Sequence, residues 1–266
     1  MCHNGLNFEI TMKEDYTVGH LIYDANIYDG MNTNMDDLPF YLGWLPKNKN
    51  ARILELCCGT GRLTIPIAKA GYTIKGIDYT PSMLEKAREK ASAEGVSIDF
   101  MHGDMRTLDL QEIYDLIFIP FNSIHHLYTN EDLYSALDVV KNHLKKEGHF
   151  ILDCFNPNIQ FIVEGEKTKK GVVQYTTNDG REIAIKETMR YENHTQINRI
   201  TRYFFINGAF DSEQNLDMRL FFPKELDAYL KGHGFTICHK FGSFKEENFS
   251  SASEKQIFVC QKTNEF

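Results

Sequence analysis

The chain has 266 residues, of which 42% are hydrophobic and 25% are charged, and its formal net charge is −8. This composition is that of a globular protein, and the acidic balance argues against a nucleic-acid partner, because such proteins usually carry a basic surface. No apolar run is long enough to cross a membrane and no signal-peptide pattern precedes the first element, so we expect a cytoplasmic protein.

The cysteine pattern excludes two further kinds of site. The six cysteines show no C-x-x-C spacing, and most of them lie in or beside apolar runs: Cys57, Cys58, Cys154 and Cys260. Such cysteines are typical of buried free thiols in a reducing compartment. We therefore expect neither a disulfide framework nor a metal site.

The N-terminal segment, residues 1–50, is rich in tyrosine and aspartate. We interpret it as a helical lid over a binding site, in which Tyr16, Tyr23 and Tyr28 close over the ligand. A tyrosine suits a lid that is partly exposed to solvent, because its ring is apolar and its hydroxyl is polar. Packing of these rings between helices is the alternative interpretation.

A glycine turn follows a short apolar strand predicted at residues 51–57. Gly59 and Gly61 allow the backbone to pass close beneath a ligand, and the next strand, at 73–78, ends in Asp78. A carboxylate in that place can accept both hydroxyls of a ribose, so the pattern predicts a nucleotide site. The alternative is that Asp78 caps the helix that begins at Pro81.

The details of this turn favour a cationic nucleotide. A dinucleotide turn normally reads G-x-G-x-x-G, whereas the third glycine position here is Leu63 or Thr64. The strand also carries Glu55, and a carboxylate there would repel a pyrophosphate but suit S-adenosylmethionine, which carries an ammonium and a sulfonium.

Four segments in chain order resemble the motifs of the class I S-adenosylmethionine-dependent methyltransferases: Glu55–Gly61, Gly76–Asp78, Pro81–Leu84 and Gly103–Arg106. The resemblance is nearest to small-molecule and sugar N-methyltransferases. It implies an α/β, doubly wound Rossmann-like fold with a seven-stranded, mostly parallel sheet, and S-adenosyl-L-methionine as cofactor. One departure is Cys57, where many family members have glycine, but a small thiol can still fit.

The rest of the chain fits this architecture with one insertion. Further strands are predicted at 96–101, 114–119 and 148–154, with helices at 61–70, 81–94 and 130–145, which indicates βαβ units. β-rich runs separated by turn signals predict an inserted antiparallel sheet at 160–220, which we expect to cover the substrate. A helix at 223–231 and strands at 235–242 and 255–262 complete the core, which we divide as 51–159 and 221–266.

The resemblance also implies roles for individual residues. Asp104 would accept from the adenine amino group while Met105 approaches the ring, although an ordinary loop aspartate is the alternative. Tyr79 would cover the adenine or only roof the crevice, and Phe121 would face the methyl-bearing sulfur. The complete predicted cofactor set is Glu55, Cys57, Gly59, Gly61, Asp78, Tyr79, Asp104, Met105, Phe121 and Tyr28.

Two adjacent histidines follow the fourth strand, where catalytic groups of this family gather. His126 is our candidate general base, because imidazole titrates near neutral pH and a similar segment with a histidine occurs in sugar N,N-dimethyltransferases. The alternative is that one of His125 and His126 caps the following helix and the other packs.

The sequence therefore predicts an S-adenosylmethionine-dependent methyltransferase that acts on a small molecule, with an amine nitrogen favoured over a hydroxyl oxygen. A binding protein without turnover and a nicotinamide-dependent oxidoreductase are the alternatives. We expect no nucleic-acid or membrane partner, and a homodimer stays open.

Overall fold

The computed structural model describes residues 18–165 and 170–263. Residues 1–17 of the predicted lid, Tyr16 among them, lie outside the described residues. The helices are α1 Ala25–Met31, α2 Leu38–Gly43, α3 Thr64–Lys69, α4 Pro81–Ala93, α5 Asn130–His143, α6 Ile159–Gly165 and α7 Pro223–Gly232, with 3-10 helices at His20–Tyr23 and Ser123–His126. The strands are β1 Arg52–Leu56, β2 Thr73–Asp78, β3 Asp99–His102, β4 Tyr114–Ile119, β5 Leu144–Phe155, β6 Lys170–Thr176, β7 Glu182–Glu192, β8 Ile197–Ile206, β9 Ala209–Arg219, β10 Phe235–Phe241 and β11 Lys255–Lys262.

Seven strands form the central sheet in the order β3-β2-β1-β4-β5-β11-β10. Every neighbouring pair is parallel except those that involve β11, which runs antiparallel to both β5 and β10. The predicted seven-stranded, mostly parallel sheet is thus confirmed. Because the strand order reverses between β1 and β4, a crevice is expected at the carboxyl ends of these two strands.

The sheet is buried on both faces, as its continuous apolar strands require. Leu54, Leu56 and Ile117 pack on the side that carries α5 and α7. The alternate residues, such as Ile53 and Phe118, pack on the side of α2 and α3. Side chains of a strand alternate between faces, so β1 and β4 each supply both layers.

The inserted segment forms a second sheet, which is antiparallel and ordered β6-β7-β8-β9. It lies between β5 and α7 in the chain, where the hairpin pattern predicted it. The Asn207-Gly208 turn between β8 and β9 has positive φ at both residues, 51° and 80°, as a tight hairpin turn requires.

The N-terminal helices pack against this second sheet. Leu21, Ile22 and Ile27 share an apolar cluster with inward-facing residues of β7, β8 and β9: Ile183, Ile185, Met189, Ile200, Phe204 and Leu216. Val18 also pairs with Leu216 at the edge of β9. The segment from Val18 to Met31 therefore contributes to the core of the second sheet, and the division into lid, core and insertion stays a prediction.

Candidate functional site

A cavity of about 410 Å³ lies at the carboxyl ends of the central strands, beneath the second sheet. This volume is in the range of sites for small molecules. All predicted site residues except Glu55 and Gly61 line it: Tyr28, Cys57, Gly59, Asp78, Tyr79, Asp104, Met105, Phe121 and His126. The structure thus brings together residues that are up to about a hundred positions apart in the chain.

The two glycines of the turn differ in their surroundings. Gly59 has φ of +54°, and a Cβ added there would meet no neighbour closer than Tyr28 Cε1 at 4.0 Å, so open space lies over its backbone. Gly61 has φ of +80°, and an added Cβ would lie 3.0 Å from Ile65 Cδ1 and 3.2 Å from Phe100 Cζ. Gly59 therefore faces the cavity, whereas Gly61 permits close packing of α3 on the sheet.

Cys57 adopts the backbone conformation for which glycine is suited. Its φ is +62°, in the left-handed region that costs a residue with a Cβ about 1–2 kcal/mol. Its Sγ lies 3.6 Å from Met105 Sδ, and burial raises the pKa of the thiol far above its usual value. Cys57 is therefore a neutral, compact wall of the cavity.

Asp78 is held in place by main-chain donors. Its Oδ2 accepts from Gly59 N and its Oδ1 accepts from Thr80 N, both at 2.8 Å. Burial raises the pKa of this carboxyl above its ordinary value. Each carboxylate oxygen has a second lone pair, so both can still accept from a ligand.

Glu55 is not among the residues that line the cavity. It is buried, and Thr64 Oγ1 of α3 donates to its Oε2. Burial raises the pKa of Glu55 to about 8, so the side chain is largely protonated at neutral pH. In this arrangement Glu55 ties β1 to α3, and its contact to the cofactor stays a prediction.

Asp104 lines the cavity with a partner of its own. Arg106 Nη2 donates to Asp104 Oδ2 at 2.7 Å, and Arg106 Nη1 donates to Asp132 Oδ1 at 2.7 Å. The hydrogen bond from Arg106 holds the pKa of Asp104 below its usual range. The Asp104 carboxylate can therefore accept from a ligand only through the lone pairs that Arg106 does not use.

Three aromatic side chains of the predicted set line the cavity: Tyr28, Tyr79 and Phe121. Tyr28 packs edge-on against Phe121, with ring centroids 6.4 Å apart. Tyr79 is 67% exposed, and its ring lies 5.7 Å from that of His102. α1, which carries Tyr28, is attached to the turn through Asp29, whose carboxylate accepts from Thr60 Oγ1 at 2.5 Å and from Lys90 Nζ at 3.0 Å.

A buried ionic network supports the turn after β4. Phe121 and Asn122 both have positive φ, 57° and 64°. Asp153 Oδ1 accepts from Phe121 N and from the Tyr41 hydroxyl, both at 2.8 Å. Lys255 Nζ joins Asp153 Oδ2 to Asn122 Oδ1, again at 2.8 Å each. No pattern in the sequence predicted this network.

The two adjacent histidines have different environments. His125 is fully buried, its Nδ1 faces the Arg219 carbonyl oxygen and its Nε2 accepts from Phe155 N at 3.2 Å. Burial lowers the pKa of His125 to about 3, so it is a neutral structural residue. Only the other histidine, His126, lines the cavity.

His126 presents an unprotonated imidazole. Its Nδ1 lies 3.3 Å from the Tyr128 hydroxyl, which donates to the Asp217 carbonyl oxygen at 3.1 Å. We therefore assign the proton to Nδ1, which leaves a lone pair on Nε2. Burial lowers the pKa of His126 to about 4.

The second sheet and the N-terminal helices supply the remaining wall, most of which the sequence analysis did not identify. Arg202 comes from β8, Leu216 and Met218 come from β9, and Tyr23 and Met31 come from the N-terminal helices. Hydrophobic alternation predicted that these strands have an inward face, but it could not indicate which residues of that face reach the cavity.

The residues present fit S-adenosylmethionine. The backbone at Gly59 is open to the cavity, and the Asp78 carboxylate beside it can accept from ribose hydroxyls. The rings of Tyr28 and Phe121 suit a cationic sulfonium, because aromatic faces attract cations.

Among residues 18–165 and 170–263, no cluster of His, Cys, Asp and Glu could hold a metal ion. No helix in these ranges is long and apolar enough to span a membrane.

Comparisons with known proteins indicate a methyltransferase. A family model described as a methyltransferase domain matches residues 53–148. YqeM of Bacillus subtilis (strain 168), a candidate methyltransferase, is 26% identical over 246 residues, which cover 90% of this chain and 96% of YqeM. The cypemycin N-terminal methyltransferase of a Streptomyces species is 28% identical over 91% of this chain and 98% of its own length.

Solved structures show the same fold. An S-adenosylmethionine-dependent methyltransferase from Clostridium acetobutylicum ATCC 824 matches with a TM-score of 0.75 at 20% identity, over 90% of this chain and 98% of its own. The sugar N-methyltransferase KedS8 from Streptoalloteichus sp ATCC 53650 matches with a TM-score of 0.69 at 16% identity, over 99% and 100%. The matches favour a methyltransferase over the oxidoreductase and the binding protein that the sequence left open. The methyltransferase domain at residues 53–148, together with these relatives, indicates an S-adenosylmethionine-dependent methyltransferase.

Proposed function

We propose that this methyltransferase methylates an amine nitrogen of a small molecule, with S-adenosylmethionine as the donor. When bound, the cofactor would supply an electrophilic methyl carbon. The amine would form the new C–N bond by in-line displacement as the C–S bond breaks, with S-adenosylhomocysteine as the leaving group and the proton of the product ammonium passing to water. Asp78 and the Gly59 backbone would hold the ribose side of the cofactor. The wall from the second sheet and the N-terminal helices would hold the acceptor and exclude water, so that much of the catalysis comes from positioning.

The observation that carries the choice of nitrogen is the neutral imidazole of His126. A hydroxyl needs a base to remove its proton before it becomes a strong nucleophile, whereas a neutral amine already has a lone pair. With its pKa lowered to about 4, His126 is a weak base at neutral pH. It can still accept an N–H hydrogen bond through Nε2 and orient the amine.

The other carboxylates of the cavity support the same choice. Asp78 is held by two main-chain N–H groups, and Asp104 is paired with Arg106. Neither is therefore available as a strong base. The apolar wall formed by Met31, Leu216 and Met218 also disfavours a charged ammonium, because desolvation lowers the pKa of an amine. An amine acceptor would thus be held in its reactive neutral form.

The relatives support a small acceptor containing nitrogen. KedS8 is described as a sugar N-methyltransferase and the cypemycin enzyme as an N-terminal methyltransferase, and both match nearly the whole chain. Matches to 23S rRNA methyltransferases of Shewanella cover 24–35% of the chain and 14–20% of those enzymes. The acidic net charge of −8 also disfavours an RNA acceptor.

The test is a set of acceptor pairs that differ only in nitrogen against oxygen, such as glucosamine against glucose and benzylamine against benzyl alcohol. The protein is incubated with methyl-¹³C-labelled S-adenosylmethionine, and the ¹³C chemical shift of the product distinguishes an N-methyl from an O-methyl group. We expect the amine of a pair to be methylated faster. Faster methylation of the alcohols would assign the enzyme to oxygen.

A further inference from the structure

Arg202 lies on the apolar face of the second sheet. Side chains alternate along a strand, so Ile200, Arg202 and Phe204 of β8 project to the same side. Ile200 and Phe204 are buried in the cluster that packs on the N-terminal helices. A charged side chain between them is unexpected, because a sheet face that only has to pack is normally apolar.

Arg202 is incompletely paired at this position. It stands opposite Glu187 of β7 and Gln214 of β9, and its Nε donates to Glu187 Oε2 at 3.3 Å. Its Nη1 lies 4.0 Å from Met31 Sδ, which is a weak acceptor. Nη2 has no hydrogen-bond partner in the part of the chain that the structure describes, although the side chain is only 17% exposed.

Packing alone does not account for this ion pair. A partly buried pair is often replaced by apolar residues without loss of stability, because removing two charges from water is costly. Arg202 and Glu187 are 17% and 30% exposed, and they are joined through a single long contact. Binding of a ligand by the guanidinium would explain why Arg202 lies on this face.

Arg106, the second arginine that lines the cavity, has a hydrogen-bond partner for each guanidinium nitrogen. Arg106 uses Nε and Nη2 on Asp104 and Nη1 on Asp132. Arg202 in contrast lines the cavity, and its Nη2 makes no hydrogen bond to the described residues. A guanidinium of this kind binds carboxylates and phosphates through two parallel hydrogen bonds.

We propose that Arg202 binds an anionic group, a carboxylate or a phosphate, of the methyl acceptor. The inference rests on the proposed N-methyltransferase function and narrows it: the acceptor is a small amine that also carries a negative charge. Arg202 would then fix the end of the acceptor that lies under the second sheet, while the amine lies at the cofactor end of the cavity.

The binding arm of the test uses sodium acetate and sodium phosphate as probes, titrated calorimetrically into the protein saturated with S-adenosylhomocysteine. Arg202→Met should weaken binding of the preferred anion by about 10–100-fold, the loss typical of a charged hydrogen-bonded contact. Arg202→Lys should recover part of that loss, and Glu187→Gln should tighten binding by removing the competing carboxylate. Lys186→Met, on an exposed residue of β7, is the matched control and should change nothing.

The activity arm compares glycine with methylamine and glucosamine 6-phosphate with glucosamine. We expect the anionic member of one pair to have the lower KM, and Arg202→Met to remove that advantage while kcat changes little. The pair with the larger advantage identifies the group as carboxylate or phosphate.

A structural role would give a different pattern. In that case Arg202→Met and Glu187→Gln would both lower the melting temperature, and anion binding would be absent or unchanged by either variant, which would overturn the proposal. The binding arm requires no methyl transfer. Its failure therefore refutes the Arg202 site even if amines are methylated, and oxygen methylation would refute the proposed function without affecting the binding result.

Discussion

Replacing Lys255 by methionine should disable the turn that carries Phe121 into the cavity. The Lys255 ammonium donates to both Asp153 Oδ2 and Asn122 Oδ1. The other oxygen of Asp153 accepts from Tyr41 and from Phe121 N. Among the described residues, methionine would leave Oδ2 of a completely buried carboxylate without its charged partner.

The expected loss of stability follows from these contacts. Removing one partner of a buried ion pair typically costs about 3–5 kcal/mol. Lys255 is 19% exposed and Asp153 keeps two other hydrogen bonds, so we expect a value near the lower end, about 3 kcal/mol. Phe121 and Asn122 hold left-handed conformations that cost about 1–3 kcal/mol each, and loosening Asp153 should let the turn relax. Affinity for S-adenosylmethionine should then fall by about tenfold, or ~1.4 kcal/mol.

The assays are urea unfolding followed by circular dichroism and calorimetric titration of the cofactor. The control is Lys145→Met, which removes an ion pair of 2.7 Å with Asp115 that is not part of the cavity and in which Lys145 is 47% exposed. It should cost about 1 kcal/mol or less and leave cofactor affinity unchanged. Adding Asp153→Asn to Lys255→Met should restore part of the stability by removing the unpaired charge. Lys255 does not hold this turn if Lys255→Met lowers the free energy of unfolding by no more than the control does. The same follows if the variant binds the cofactor as tightly as the unaltered protein.

Three further predictions concern the cavity and its histidines. Asp78→Ala should weaken cofactor binding by about 1.5–3 kcal/mol per charged hydrogen bond lost, and unchanged affinity in calorimetry would remove Asp78 from the site. His126→Gln should lower kcat by no more than the lower part of the 10²–10⁴-fold range typical of general bases, because the pKa of His126 is low. The affinity for the cofactor should change little. His125 and His126 have pKa values of about 3 and 4 in the fold. The unfolded chain therefore binds more protons below pH of about 6.5, so the free energy of unfolding should fall between about pH 6.5 and 4, and His126→Gln should reduce that slope.

The central fold could be predicted because its signals are local. Apolar strands alternate with helices that begin and end at recognisable residues, such as Pro81 at the start of α4 and Gly95 after its end. The reversal of strand order then places the ends of β1, β2 and β4 at one edge. Local pattern and parallel topology together thus predicted the crevice and nine of the residues that line it.

The supporting contacts could not be predicted because they depend on register between distant strands. Asp153 and Lys255 are about a hundred residues apart; Asp153 follows an apolar run of β5, and Lys255 is the first residue of β11. Their pairing requires the antiparallel alignment of β5 with β11, which sequence periodicity does not fix. The same holds for Arg202, whose inward direction depends on the pairing of β8 with β7 and β9.

Backbone conformation is the second feature that the amino-acid sequence does not predict at every residue. The left-handed residues of the glycine turn were expected at Gly59 and Gly61, but Cys57, Phe121 and Asn122 adopt the same region without being glycine. For Phe121 the reason lies in the Asp153 carboxylate that accepts its N–H. Tertiary contacts therefore impose a conformation that the residue type alone disfavours.

The paired histidines show how a short helix separates two neighbours. A 3-10 helix has three residues per turn, so adjacent side chains point about 120° apart. His125 and His126 lie in such a helix, Ser123–His126, so one can be enclosed by Phe155 and Arg219 while the next reaches the cavity. This helix geometry therefore places the two histidines in different environments. Which one faces the cavity is decided by β5 and β9, whose backbone groups occupy both ring nitrogens of His125, while His126 lines the cavity.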